Sequence, residues 1–518
     1  MQTVANLSNF LVLAARQFPD RPAIIHGDLS QSWAQTRARV GALAAGLRDE
    51  LGIEPGDRVV VHLPNGAPLL ESMWAVWSIG AIWVPSNIRS MPKDLAWIFE
   101  STGARGLICD AEARDHVGIE ADTLETRLVS GGQNDPYEAL LARHTGADLR
   151  PMVMQYGDPA WFFMTSGTTS KPKAAILTHG QMAYIVTNHI ADLMPGLSER
   201  DVSLAVAPLS HGAGTHYLIQ SARGGATVIP EGRSFDAAEA WALVERYGVT
   251  NMFTVPTILK MLVEHPDVAS RDHSSLRHVI YAGAPMFAVD QRRALLALGP
   301  VLVQYYGLGE VTGCITGLHP DLHGDPDRTG SCGVARTGMQ IDIQDPEGRS
   351  LPSGEIGEIC TIGPGVCAGY WNNEQATAKS FRDGWFLTGD MGYLDANGFL
   401  YLTGRASEMY ISGGSNLSPR EIEEELLEHD AVQEVCVFGV PDDKWGEIGV
   451  AIAVTDADAD LSGESLRAFL KSRLTGYKVP ARIEIREALP KSPNGKIVRK
   501  DVRAEWIASQ PANTGDRT

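Results

Sequence analysis

The chain has 518 residues, 44% hydrophobic and 21% charged, a globular composition with length for about three folding units. Its formal charge of −19 disfavours broad contact with nucleic acid or anionic lipid, so positive charge for a polyphosphate has to be placed locally. The six cysteines, Cys109, Cys314, Cys332, Cys360, Cys367 and Cys436, form no CxxC pair and no zinc-finger spacing, which points to free thiols in a reducing compartment, the cytoplasm.

The N-terminal stretch has its first basic residue at Arg16 and is expected to form an amphipathic helix rather than a secretory leader. The most apolar stretch, Met73 to Val84, is interrupted by Gly80 and stopped by Pro85, too short for the roughly 20 residues of a membrane-spanning helix. Arg58–Leu63, Ala67–Ile79, Ala81–Val84 and Gly106–Cys109 alternate as strand, helix, strand, strand. That order predicts βαβ units and a mostly parallel, covered sheet. Asn251–Val255, His278–Ala282 and Val301–Tyr306 are further strands, each ending at Pro or Gly, where loops carry chemistry. From Ile341 the texture changes to short strands and turns, with a hairpin expected at Asn397-Gly398. A separate unit follows, with helices at Pro419–Leu427 and Ser465–Leu474 and strands around Val435–Val440 and Val450–Val454. The expected architecture is α/β: a large N-terminal domain, residues 1–404, with parallel sheets and a small strand-turn subdomain. A small mobile α+β domain, residues 405–510, and a frayed tail, 511–518, complete it.

The strongest local signal is FFMTSGTTSKPK, Phe162 to Lys173. An apolar strand runs into Thr165, Ser166, Gly167, Thr168 and Thr169, followed by Lys171-Pro172-Lys173. Small residues let backbone N–H groups approach an anion, hydroxyls add donors, and lysine supplies point charge. The run is not a Walker A loop, because Ser170-Lys171-Pro172 breaks that pattern. On composition alone a solvated Ser/Thr/Gly loop fits as well as a polyphosphate cradle.

The segment MTSGTTSKPKAAILTH resembles the phosphate-binding loop of the adenylate-forming superfamily, which includes acyl-CoA synthetases and aryl-CoA ligases. The resemblance continues in order through PLSHGAG (Pro208–Gly214), YAGAPM (Tyr281–Met286), YYGLGE (Tyr305–Glu310), GWFLTGD (Gly384–Asp390), GRASEMYISGGSNLSPREIE (Gly404–Glu423), PDDKWGE (Pro441–Glu447) and PNGKIVRK (Pro493–Lys500). It implies a carboxylic acid–CoA ligase using ATP, Mg²⁺ and coenzyme A. Thr165, Ser166, Gly167, Thr168, Thr169 and Lys173 would hold the β- and γ-phosphates, and Glu310 would help hold Mg²⁺. Tyr306 would stack on adenine beside Gly283, Ala284, Pro285 and Gly307, with Asp390 accepting the ribose hydroxyls and Arg405 reaching ribose or phosphate. Lys496 would be the catalytic cation bridging carboxylate and α-phosphate, swung in and out about a hinge at Ser407. Ser412, Gly413, Gly414 and Trp445 would line the CoA path.

Several positions depart from the family pattern. Ser170 and Ala174 replace glycines, Ser407 stands where Asp or Lys is usual, and Gly309 replaces the Thr before the glutamate, with Thr312 or a water the expected substitute. The acyl pocket is expected from His211, Gly212, Ala213, Thr215, Tyr281, Leu308, Val311, Thr312 and Gly313, together with Gly307, and His211 would gate it and contact the carboxylate. These small or apolar walls, without Arg or Lys, favour a medium-chain fatty or aryl acid over a dicarboxylate. The alternative is an adenylation enzyme loading a phosphopantetheinyl carrier protein. A phosphate-loop NTPase and a non-catalytic adenylate binder fit less well. No nucleic acid partner and no integral membrane segment are expected, and the oligomeric state, a homodimer included, is left open.

Overall fold

The computed structural model describes residues 2–165, 171–284, 286–405, 407–412, 415–442, 444–456, 461–491 and 497–510. The chain divides into two compact units. One comprises Met1–Pro285, Ala294–Asp342 and Cys360–Thr388; the other comprises Met286–Arg293, Ile343–Ile359 and Gly389–Thr518.

The first unit carries two large sheets. One orders its strands Lys173–Thr178, Pro159–Thr165, Ile82–Pro85, Arg58–His62, Gly106–Asp110 and Thr126–Ser130. All neighbours are parallel except the first pair, an antiparallel hairpin. The other has a parallel centre running Leu302–Tyr306, His278–Tyr281, Asn251–Thr254, Val202–Leu204, Ala226–Ile229 and Pro22–His26. Antiparallel strands close both its edges. Strands buried on both faces read as unbroken apolar runs, which is why Val59, Val60 and Val61 were legible. Helix Ala67–Ser78 buries every residue except Pro68, as expected of a helix that is apolar all round. Its indoles still find partners: Trp74 Nε1 donates to Tyr217 Oη at 2.9 Å and Trp77 Nε1 to the Ala160 carbonyl at 2.7 Å.

In the second unit, strands Val432–Asp442 and Gly446–Thr455 pair antiparallel, and Arg482–Ile485 joins the latter in parallel. Side chains alternate across a strand, so this sheet has two apolar faces. Val435, Val437, Ala451 and Ala453 pack with Ile422 and Leu426 of helix Pro419–Leu427 and with Leu466 and Leu470 of helix Gly463–Lys471. Cys436, Phe438, Val450 and Ile452 pack with Val502 and Trp506 of helix Arg499–Ser509. Strand Trp385–Leu394, along which the chain enters this unit, pairs with Leu400–Arg405 across the Asn397-Gly398 turn. Among the described residues, no helix is long and apolar enough to cross a membrane.

One buried charge ties the first unit together. Glu71 is fully buried on the apolar helix and accepts from Arg39 Nε at 2.6 Å, Tyr137 Oη at 2.7 Å and Gln31 Nε2 at 3.0 Å. Replacing one member of a buried ion pair strands the other and costs about 3–5 kcal/mol. Arg39 keeps Glu138 as a second partner, so Glu71→Ala is expected at the low end, about 3 kcal/mol. Urea unfolding against the wild type, with Glu71→Gln as the milder control, measures it.

Candidate active site

Chemistry gathers at carboxyl ends of strands in the first unit, as parallel α/β sheets favour. Strand Pro159–Thr165 ends at Thr165 and pairs antiparallel with Lys173–Thr178, so that Thr165 and Lys173 are direct Cα partners. The connecting residues Ser166, Gly167, Thr168 and Thr169, assigned to the phosphate loop, lie outside the described residues, as does Ser170. Next to their exit, Lys171 Nζ rests 3.8 Å from the centroid of Trp97, and Trp97 Nε1 donates to the Pro172 carbonyl at 2.9 Å. A cation on a π-face is worth about 0.5–1 kcal/mol at an exposed site, and the two contacts together fix where the loop ends.

Strand Leu302–Tyr306 delivers the acidic residue. A 3₁₀ turn, Gly309–Val311, buries the Glu310 side chain, and the Glu310 carbonyl accepts from Cys367 N at 2.7 Å. Its Oε1 accepts from Tyr370 Oη at 2.9 Å, and Lys173 Nζ stands 5.4 Å from the centroid of the same Tyr370 ring. Burial and the neighbouring Glu310 charge both push the Tyr370 phenol pKa up, so that it stays a donor to the carboxylate. Tyr370 went unnoticed in the sequence, since nothing in GYW spacing marks an aromatic that reaches a carboxylate 60 residues earlier.

The glycine at 309 has a steric explanation. A Cβ there would lie 2.6 Å from Phe163 Cδ1 and 2.9 Å from Thr165 Cγ2. Phe163 and Thr165 are two apart on one strand and share a face, and the phenyl ring takes the space a threonine side chain would need. Thr312, the expected substitute, adopts a left-handed conformation (φ 46°) and is buried. Its hydroxyl and that of Thr165 are buried without a partner among the described residues. Orphaned hydroxyls beside a buried carboxylate suit a hard cation with its phosphate and water oxygens. The site therefore fits Mg²⁺, which would be held by Glu310 and would neutralise phosphate charge.

The remaining expected residues divide into groups. Tyr306 is half-buried in an apolar cluster with Leu308, Val311, Ile315 and Phe386. Gly283 has φ +81° and is exposed, Ala284 is half-buried, and Pro285 lies outside the described residues. His211 caps helix Gly212–Ala222, with its ring 5.7 Å from that of Phe163. Gly212 and Gly313 both border Tyr305. A Cβ on Gly212 would sit 4.0 Å from Tyr305 Oη and 3.3 Å from Phe253 Cζ, and one on Gly313 would overlap the Tyr305 ring at 2.1 Å. Ala213 and Thr215 are buried on the same helix. Tyr281 is buried, with its hydroxyl donating to Gln304 Oε1 at 3.0 Å and lying 3.2 Å from His323 Nε2.

Within the second unit, Asp390 and Arg405 are Cα partners, and Arg405 Nε lies 3.0 Å from the buried Asp390 carboxylate. Ser407 is exposed in a turn where Glu408 N and Met409 N both donate to the Arg405 carbonyl, at 3.0 and 3.1 Å. Ser412 is the Cα partner of Gly446, next to Trp445. Trp445 is 50% exposed, with Lys444 Nζ 4.8 Å from its ring centroid. Gly413, Gly414 and Lys496 lie outside the described residues. Lys491 and Ile497 flank the Lys496 segment and form an antiparallel bridge.

Comparison with known proteins shows the family. The family model described as AMP-binding enzyme matches residues 11–371, and that of the AMP-binding enzyme C-terminal domain matches residues 421–496. A feruloyl-CoA synthase from Amycolatopsis sp is 36% identical over 504 residues, covering 96% of this chain and 99% of that protein. The structure of the amide bond synthetase McbA from Marinactinospora thermotolerans aligns with a TM-score of 0.88 at 28% identity, covering 97% of this chain and 100% of that one. The o-succinylbenzoate CoA synthetase MenE from Bacillus subtilis, in complex with its acyl-adenylate intermediate, aligns with a TM-score of 0.85 at 29% identity, covering 97% and 99%. The chain belongs to the AMP-binding enzyme family, the adenylate-forming superfamily. Its class is that of the ATP-dependent, AMP-forming acid–CoA ligases, which use ATP, Mg²⁺ and CoA.

The Phe163–Gly309 pair makes a direct prediction. Gly309→Thr forces the ring or Thr165 aside, and overpacking of this kind costs about 1–3 kcal/mol. Adenylation is expected to fall about tenfold or more on that scale. Phe163→Leu in the same chain is expected to restore part of the loss, which a double-mutant cycle on acid-dependent pyrophosphate release measures.

Proposed function

We propose that the enzyme activates an aromatic carboxylic acid and transfers its acyl group to coenzyme A. The carrying observation is the wall met at Gly212. The rings of His216, Phe253 and Tyr305 lie within 14–17° of parallel, with centroids 4.5–6.0 Å apart. A glycine opening onto stacked flat rings suits a planar acid better than a flexible chain, because aromatic rings prefer offset-stacked or edge contacts. The 36% identity to a feruloyl-CoA synthase supports the same reading.

In the first half-reaction a carboxylate oxygen attacks the α-phosphorus of ATP, the bond to pyrophosphate breaks, and the acyl-adenylate forms. In the second, the CoA thiolate attacks the acyl carbon and AMP leaves. We assign the β- and γ-phosphates to Thr165, Ser166, Gly167, Thr168, Thr169 and Lys173, with Glu310 holding Mg²⁺ and Tyr370 fixing the Glu310 carboxylate. Tyr306, Gly283, Ala284, Pro285 and Gly307 take the adenine. Asp390 takes the ribose, and its pairing with Arg405 holds the carboxylate ready to accept two hydroxyls. His211 contacts the acid at the pocket entrance, whose walls also include Ala213, Thr215, Tyr281, Leu308, Val311, Thr312 and Gly313. Lys496 supplies the cation between carboxylate and α-phosphate, two anions that repel until a donor is placed at the developing charge. Ser407 is the hinge between half-reactions, and the functional division falls at residues 404/405. Ser412, Gly413, Gly414 and Trp445 line the CoA path.

Lys496→Ala is expected to lower adenylation by about 10²–10³, the usual loss for one transition-state donor. It should still convert supplied acyl-adenylate and CoA to thioester. Loss of both half-reactions in a folded variant removes Lys496 from this role. A CoA-dependent AMP-release screen over cinnamic, benzoic and C6–C12 fatty acids tests the substrate class. Turnover confined to the fatty acids would contradict the aromatic reading.

A further inference from the structure

Behind the ring stack lies a buried cation that the reaction itself does not use. Arg336 is 3% exposed, and its Nε has no partner among the described residues. Its Nη2 stands 2.9 Å from His189 Nδ1, while Nη1 reaches His189 Nε2 and the Gly313 carbonyl only at 3.5 Å. His189 Nδ1 also lies 3.0 Å from the Ile185 carbonyl. One ring nitrogen can donate to that carbonyl or accept from the guanidinium, but not both, so the Arg336–His189 contact is at best half-satisfied. The carboxylate of Asp192 is occupied by Thr337 N at 2.7 Å, Thr337 Oγ1 at 2.9 Å and Asn188 Nδ2 at 3.0 Å. Burial, followed by the Arg336 charge, pushes the His216 pKa down to about 3 and that of His189 well below its usual value. Both imidazoles are therefore neutral, and Asp192 offsets the guanidinium charge only in part, because burial still outweighs it and holds the Arg336 pKa below its usual value.

A buried guanidinium with an unmet donor is expensive, and an unsatisfied buried group calls for an explanation such as a ligand that completes it. The cluster adjoins two positions assigned above to the acyl pocket, Gly313 and Gly212. The Gly313 carbonyl faces Nη1, and His216 Nε2 is 3.2 Å from Tyr305 Oη, which in turn faces the missing Cβ of Gly212. A line of polar groups thus runs from the pocket wall through Tyr305, His216 and His189 to the guanidinium.

We infer that Arg336 and the Tyr305–His216–His189 line recognise an oxygen, ionised or strongly accepting, on the end of the aromatic acid remote from the reacting carboxylate. This inference rests on the aromatic-acid reading above and narrows it to ring acids bearing a distal phenol or a second carboxylate. The guanidinium fork matches such oxygens in two-point geometry, which a lysine does not. Arg336 acts on specificity through binding and takes no part in bond making. It also revises the expectation that the pocket has no arginine to meet a second acidic group.

The test compares kcat/KM for cinnamate, 4-hydroxycinnamate and 4-carboxycinnamate by CoA-dependent pyrophosphate release, in wild type, Arg336→Met and Arg336→Lys. The wild type is expected to favour at least one oxygen-bearing acid over cinnamate by about tenfold or more, since a site built to hydrogen-bond a substrate group discriminates against its absence. The hydroxyl and carboxyl arms tell a phenol site from a carboxylate site. Arg336→Met is expected to shrink that ratio at least tenfold, mainly through KM, and Arg336→Lys to retain an intermediate ratio. If Arg336→Met melts early, the intermediate ratio of Arg336→Lys decides. A ratio near one in the wild type, or one unchanged in both variants, overturns the inference and leaves the aromatic reading standing. Turnover of fatty acids but of none of the three ring acids sinks both.

Discussion

The site depends on one buried carboxylate. Glu310 sits where the end of strand Leu302–Tyr306 meets the Thr165–Lys173 hairpin of the other sheet, fixed by Tyr370 Oη and by a backbone bond from Cys367. Burial raises the strength of every interaction that a charge makes, so a cation at Glu310 would be held more tightly than at a surface acid. The same burial makes the surroundings exacting. Gly309 has to be small because Phe163 and Thr165 crowd it, and Thr312 turns left-handed as the chain leaves.

Much of the frame was legible in the sequence because it follows local rules. Strands Arg58–His62, Gly106–Asp110, Asn251–Thr254 and His278–Tyr281 fall within a residue of their expected spans, as their unbroken apolar runs predict, and helix Pro419–Leu427 falls on its expected span. Helix Gly463–Lys471 starts two residues earlier than expected because Ser462 forms a capping box with Ser465, a cap hidden in a run of small polar residues. Motif order singled out Glu310, Lys173, Asp390 and Arg405, and the last two meet across a hairpin.

Contacts between residues remote in sequence were not legible. Phe163 explains the departure at Gly309, yet only the packing of two strand ends brings them together. Tyr370 reaches Glu310 from a loop with no chemical signature of its own. Arg336 lies in ARTG, outside every motif the sequence offered, and the fold buries it beside His189. Sequence spacing records what is near along the chain, whereas these contacts are assembled from segments far apart along it.

The chain shares its family with ligases of several acids, and within it the Glu310 carboxylate and the Thr165–Lys173 hairpin stand apart from the stacked rings of His216, Phe253 and Tyr305. The most direct measurement of the central claim is the Mg²⁺ dependence of ATP binding, titrated in the wild type and in Glu310→Gln. If Glu310 holds the metal, the variant requires about tenfold more Mg²⁺ or higher for half-maximal ATP binding, a loss of about 1.4 kcal/mol, while binding without Mg²⁺ changes little. An identical Mg²⁺ requirement in the two proteins would contradict the account.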